Sequence, residues 1–168
     1  MKNTLPLRPE ELLAFVDGFV SASLPNNLNE LTRRLRSGEW LASEPQNGGK
    51  SALLTVEFET GVAGISGSWL GRRDEPFSLH LAVYENAPGD SEAMRANFAK
   101  IVTVFSDKFG VPSTEDLDGL SPKAVWTRGD KLVRAEGYGR NPKLTLIFIG
   151  IEGCEAGPQP SDHPAHDS

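Results

Sequence analysis

Cysteine is nearly absent: Cys154 is the only one in 168 residues, so no intramolecular disulfide can form and nothing calls for an oxidising compartment. Long apolar runs are missing too. No stretch approaches the roughly 18 consecutive apolar residues of a membrane-spanning helix, so no membrane partner is expected. Basic residues are outnumbered, 17 Lys and Arg against 23 Asp and Glu, and they form no stripe. Phosphate-dominated binding needs clustered cations to release counterions, so no nucleic-acid partner is expected either. The opening residues, Met1 to Pro6, lead into Glu10 and Glu11 rather than an apolar core, which is wrong for a secretory signal. A cytoplasmic location is the expectation that fits these absences.

What is present suits one domain. With 38% hydrophobic residues, 168 residues can bury a single respectable core. The net charge of −6 is unevenly spread. From Glu152 onward Glu152, Glu155, Asp162 and Asp167 stand without any Lys or Arg, which leaves the preceding chain close to balance at −2. Pro158, Pro160 and Pro164 fall in the same stretch. The domain is therefore expected over 1–151, with 152–168 a disordered, acidic, proline-rich tail.

The clearest periodicity lies at Met94, Phe98, Ile101, Phe105 and Phe109, an apolar helical stripe with Arg95, Lys100 and Lys108 off it. Asp90 or Ser91 supplies its N-cap, Gly110 its C-cap, and Pro112 keeps it from resuming. Two shorter helices precede it. Pro9, Glu10 and Glu11 make a first turn before Leu12, Phe15, Val16 and Phe19. Asn27 and Glu30 have capping-box spacing before Leu28, Leu31 and Leu35, with Gly38 as C-cap and Trp40-Leu41 as an apolar plug. After a loop at Gln46 to Lys50 the period becomes two. Leu54, Val56 and Phe58 alternate with polar residues, a run from Val62 to Leu70 is interrupted by Gly64 and Gly67, and Phe77, Leu79, Leu81 and Val83 alternate with Ser78, His80, Ala82 and Tyr84. Beyond the long helix, strands are expected at Ala124 to Trp126, Leu132 to Glu136 and Leu144 to Ile149. Turns are expected at Gly129-Asp130 and from Gly137 to Pro142. The fold class is α+β: two N-terminal helices, a three-stranded antiparallel meander, one long helix and three further antiparallel strands, with the helix packed on the sheet.

Chemistry is sparse. His80 is the one histidine within the predicted fold and points to the wetter side of its strand, where it reads as a surface histidine. A catalytic base would need a nucleophile signature that is missing. His163 and His166 flank Pro164 in the tail and supply no preformed metal geometry. Arg128-Gly129-Asp130 reads as a hairpin turn, and the glycines at 61, 64, 67, 137 and 139 as strand and turn glycines, because none opens a helix after a strand. Cys154 has no partner in the pattern. No catalytic residue, metal or cofactor is expected. Carboxylates give the best binding candidates: Glu57 and Glu59 on one strand face, and Glu115, Asp116 and Asp118 in an acidic connection between two rigid elements.

The sequence from Phe98 through Phe109-Gly110-Val111-Pro112, then Gly119, then Trp126 to Asp130 and Leu144-Thr145-Leu146, together with the helix end from Leu35 to Trp40, resembles a group of small uncharacterised bacterial proteins. Those proteins resemble, and often lie beside, immunity proteins of polymorphic-toxin systems. The resemblance covers most of Pro9 to Ile149 and implies a non-enzymatic protein that binds and neutralises a toxin, with no catalytic residues to carry over. The alternative is a secretion-chaperone-like binding protein with a secreted client. This chain departs from that pattern by its second N-terminal helix and by a strand where a last helix belongs.

Overall fold

The computed structural model describes residues 5–36 and 53–154. The expected C-cap at Gly38, the Trp40-Leu41 plug, the loop at 46–50 and the tail from 155 lie outside the described residues. Three helices, α1 (Pro9–Ser21), α2 (Leu28–Arg36) and α3 (Ser91–Phe109), accompany seven strands. The strands are β1 (Leu54–Glu59), β2 (Ser66–Gly71), β3 (Ser78–Asn86), β4 (Thr114–Asp116), β5 (Lys123–Arg128), β6 (Lys131–Asn141) and β7 (Leu144–Gly153). All pair antiparallel in the order β1-β2-β3-β7-β6-β5-β4. The two expected meanders therefore join edge to edge through β3 and β7 into one sheet. The fold is α+β, with α3 across β5, β6 and β7.

The helices start where their caps dictate. The Ala93 N–H donates to Asp90 Oδ1 at 3.0 Å, and the Gly110 N–H closes the far end on Ser106 O at 2.9 Å with φ of 91°. At α2 the Glu30 N–H donates to Asn27 Oδ1 at 2.9 Å while Glu30 Oε2 accepts from the Asn26 N–H at 3.0 Å, so two orphan donors are satisfied reciprocally. Backbone bonds from Leu28 N to Arg73 O and from Phe77 N to Pro25 O, both 2.9 Å, tie the start of α2 to the β2–β3 turn.

One face of the sheet carries the core. Leu54, Val56, Phe58, Trp69, Leu79, Leu81, Ile147, Ile149, Ile151, Val133, Ala135 and Trp126 are all buried there with Met94, Phe98, Ile101 and Phe105 of α3 and Leu12, Val16 and Val20 of α1. Trp126 sits 5.6 Å from Phe105 and 6.4 Å from Phe109, ring centre to ring centre, and its Nε1–H donates to Ser106 Oγ at 3.3 Å. At the other end Phe58 lies between Phe19 (6.3 Å) and Trp69 (5.9 Å).

Four boundaries differ from those read in the sequence, each for a physical reason. The run expected from Val62 forms a strand only from Ser66, because Thr60 Oγ1 takes the Val62 N–H and bonds Ile65 O, folding 60–65 into a turn. The expected turn at Gly137 to Pro142 is mostly strand: β6 runs to Asn141 and reverses at Pro142-Lys143. A Cβ on Gly137 would stand 2.7 Å from Met94 Sδ, and one on Gly139 2.8 Å from Met94 Cε, so these glycines let α3 approach the sheet. The connection after α3 contains β4, unforeseen in so polar a stretch, paired by Thr114 with Val125 and Asp116 with Lys123. β7 continues through Gly153, so Glu152 belongs to the sheet rather than to a tail.

Candidate functional site

Because strand side chains alternate, every core residue on the sheet leaves a neighbour on the opposite face. Among the described residues, no helix or strand lies over that second face. Its register gives two unbroken rows across all seven strands. One runs Glu59, Ser66, Ala82, Phe148, Glu136, Lys123, Asp116, and the other Glu57, Ser68, His80, Gly150, Arg134, Val125, Thr114. A bulge at Val83, where the register shifts between Ala82 and Tyr84, buries two successive side chains and turns Glu85 to the open face opposite Leu146.

The centre of this face is amphipathic. Arg134 donates through Nη2 to Glu152 Oε1 at 2.8 Å, its Nη1 is 3.6 Å from Glu136 Oε1, and Lys123 Nζ is 3.6 Å from the same oxygen. The Tyr138 hydroxyl donates to Glu136 Oε2 at 2.6 Å, which together with partial burial raises its pKa. Tyr138, 46% exposed, packs edge-on against Phe148 at 5.6 Å and stands opposite Leu146. Aromatic and apolar groups thus sit directly beside paired charges.

Next to the network, Leu70, Ser78, His80, Glu152 and Cys154 line an open groove of about 480 Å³. His80 Nε2 is 3.1 Å from Ser78 Oγ, and that hydroxyl is 3.3 Å from Leu70 O. If the hydroxyl donates to the carbonyl, its oxygen accepts from His80 Nε2–H, the tautomer that cannot take the serine proton. Burial pushes the His80 pKa down, Arg134 adds to this, and Glu152 and Glu136 oppose it. Among the described residues, no three His, Cys, Asp or Glu side chains converge as metal ligands.

The carboxylates singled out in the sequence are scattered. Glu57 and Glu59 share the β1 margin of the open face. Asp116 occupies the same face at the β4 margin, six strand spacings or roughly 29 Å away. Glu115, opposite Ala124, points to the other side, and Asp118 follows β4, its N–H donating to Asp116 Oδ1 at 3.1 Å. Sequence reading missed Arg134, Glu136, Tyr138, Phe148 and Glu152. The available signal was parity: Leu132, Arg134, Glu136 and Tyr138 alternate with the small or apolar Val133, Ala135 and Gly137. No helix among the described residues is long and apolar enough to cross a membrane. Comparison of the chain with protein-family models, curated proteins and solved structures finds no match.

Proposed function

We propose that this chain is a non-enzymatic protein-binding module that seats a partner on the open face of its sheet, and that the partner is a toxin it neutralises in the manner of immunity proteins. The observation that carries this reading is the exposed Tyr138 packed on the half-buried Phe148, with the half-buried Leu146 beside them, on a face that no described helix or strand covers. Aromatic residues ringed by polar groups are the usual anchors of protein interfaces.

Co-expression with the folded toxic domain of a toxin candidate encoded beside the gene tests the reading. The expected outcome is rescue of growth and a stoichiometric complex, both lost in a Tyr138→Ser/Phe148→Ser variant that keeps its fold by circular dichroism. Binding only to an unfolded or N-terminal segment of an exported protein would replace toxin neutralisation by secretion-chaperone action. A complex unaffected by the double variant would move the interface off the open face.

A further inference from the structure

Charge on this molecule is segregated by face. The open face and its groove carry Glu57, Glu59, Glu75, Glu85, Glu136, Glu152 and Asp116, seven carboxylates, against three cations, Arg72, Lys123 and Arg134. The other described residues hold eleven acidic side chains and twelve basic ones. The negative charge of the described residues therefore resides on the one face that no described helix covers. Its cations pair with acids of the same face, Arg72 with Glu75, Lys123 with Glu136, and Arg134 with Glu136 and Glu152, so the excess negative charge lies toward Glu59, Glu85 and Asp116.

Its relief has a direction. Ser66, Ser68, Ala82 and Gly150 occupy β2, β3 and β7 in the two rows, so between Glu57 and Glu59 on one side and Phe148, Glu136 and Arg134 on the other the surface is built of small side chains with His80 among them. Three strand spacings separate β1 from β7, roughly 14 Å, which accommodates a helix about 10–12 Å across.

Resting on the protein-binding reading above, we propose that the open face docks a cationic, amphipathic helix-sized element of a partner. Lys or Arg on that element meets Glu59, with Glu57 beside it, on the β1 flank, and Glu85 where the bulge of β3 turns it to the same face. Its apolar side meets Phe148, Tyr138 and Ala82. Opposite charge steers such an encounter and makes its rate depend steeply on salt, whereas the apolar contact sets how long it lasts.

The test needs no identified partner. An 18-residue helical peptide with lysines flanking a leucine face, and its glutamate counterpart, are titrated into the ¹⁵N-labelled full-length protein. The expected result is that the lysine peptide alone shifts the amides of Ser68, Ala82, His80, Phe148 and Gly150, with at least about tenfold weaker binding when salt rises from 50 to 300 mM. Glu59→Lys/Glu85→Lys should weaken it by a similar factor. Reversing acids elsewhere, Asp74→Lys/Asp107→Lys, should change it less than twofold. Shifts confined to other surfaces, equal binding of the glutamate peptide, or equal loss in both double variants would overturn the proposal. The two readings also fail separately: a toxin complex that survives Glu59→Lys/Glu85→Lys and high salt overturns the cationic element and leaves the binding module standing.

Discussion

The two faces of this sheet are made by the same seven strands and obey opposite rules. On the covered face nearly every position is aliphatic, aromatic or glycine, and burial is close to complete: Trp126, Val133, Ile147 and Ile149 are fully buried beneath α3. One residue along each strand most side chains are polar or charged, with the half-buried Leu146 and Phe148, the exposed Tyr138 and the buried Val125 among them. The covered face is a packing problem in which volume decides the outcome. The open face is a surface problem in which charge placement decides it. A change of comparable size should therefore cost stability on one side and binding on the other.

The largest effect is expected at Trp126. Truncation to Ala removes a fully buried indole that packs on Phe105 and Phe109 and leaves Ser106 without its donor, so about 3–5 kcal/mol of unfolding free energy should be lost. Urea denaturation reads this directly. A loss below about 1 kcal/mol would mean that α3 does not seal the sheet there. A smaller cost, about 1–3 kcal/mol, is expected for Gly137→Ala, whose new methyl would stand 2.7 Å from Met94 Sδ and 2.8 Å from Pro122 Cγ. Because methionine is the adaptable partner, Met94→Ala in the same chain should recover part of that cost relative to the sum of the two single changes. Strict additivity would break the assignment of Gly137 to close helix approach.

How legible this was follows the same division. The stripe from Met94 to Phe109, its Asp90 cap and its Gly110 stop were readable because they are local: spacing, hydroxyl or carboxylate chemistry and tolerance of positive φ all sit within one helix. The glycines of β6 were misread as turn residues because their reason lies in another element, α3, which no short window contains. β4 was missed because three exposed polar residues have no apolar alternation, and only pairing with β5 makes them a strand. The open-face network was invisible for a related reason. Arg134 meets Glu152 only because β6 and β7 pair in one particular register, with Leu132 opposite Glu152. The carboxylates chosen from the sequence were conspicuous by local density, and density along the chain did not translate into proximity in space.

On the open face, Phe148→Ser should cost only about 1 kcal/mol, since the ring is half-buried and its edge contact with Tyr138 is worth a fraction of a core aromatic. The same change should weaken partner binding by more than tenfold if Phe148 anchors the interface. Denaturation midpoint and complex affinity, measured on one preparation, compare the two costs. A loss above about 3 kcal/mol would place Phe148 with the core residues and erase the contrast between the faces.

The smallest and sharpest effect concerns His80, the only titratable group in the low-relief strip between β1 and β7. Ser78 and Glu152 are its near polar neighbours, and Arg134 and Glu136 stand on β6 beyond Gly150. Burial wins over the two carboxylates and holds the folded-state pKa below the ordinary 6.5. The unfolded chain then binds more protons than the folded one between the two values, so stability rises with pH through that window and falls as pH drops below about 6.5. Unfolding followed from pH 7.5 to 5.5 should show this slope in the parent chain and a reduced slope in His80→Asn, whose remaining pH dependence comes from carboxylates. An imidazole pKa above 6.5 by NMR titration would reverse the sign. It would mean that the acidic field of the open face outweighs desolvation, making His80 part of the charged surface rather than part of its sheltered floor. A docked cationic element would press the pKa further down, so the same titration repeated with the lysine peptide bound reports whether positive charge has arrived beside His80.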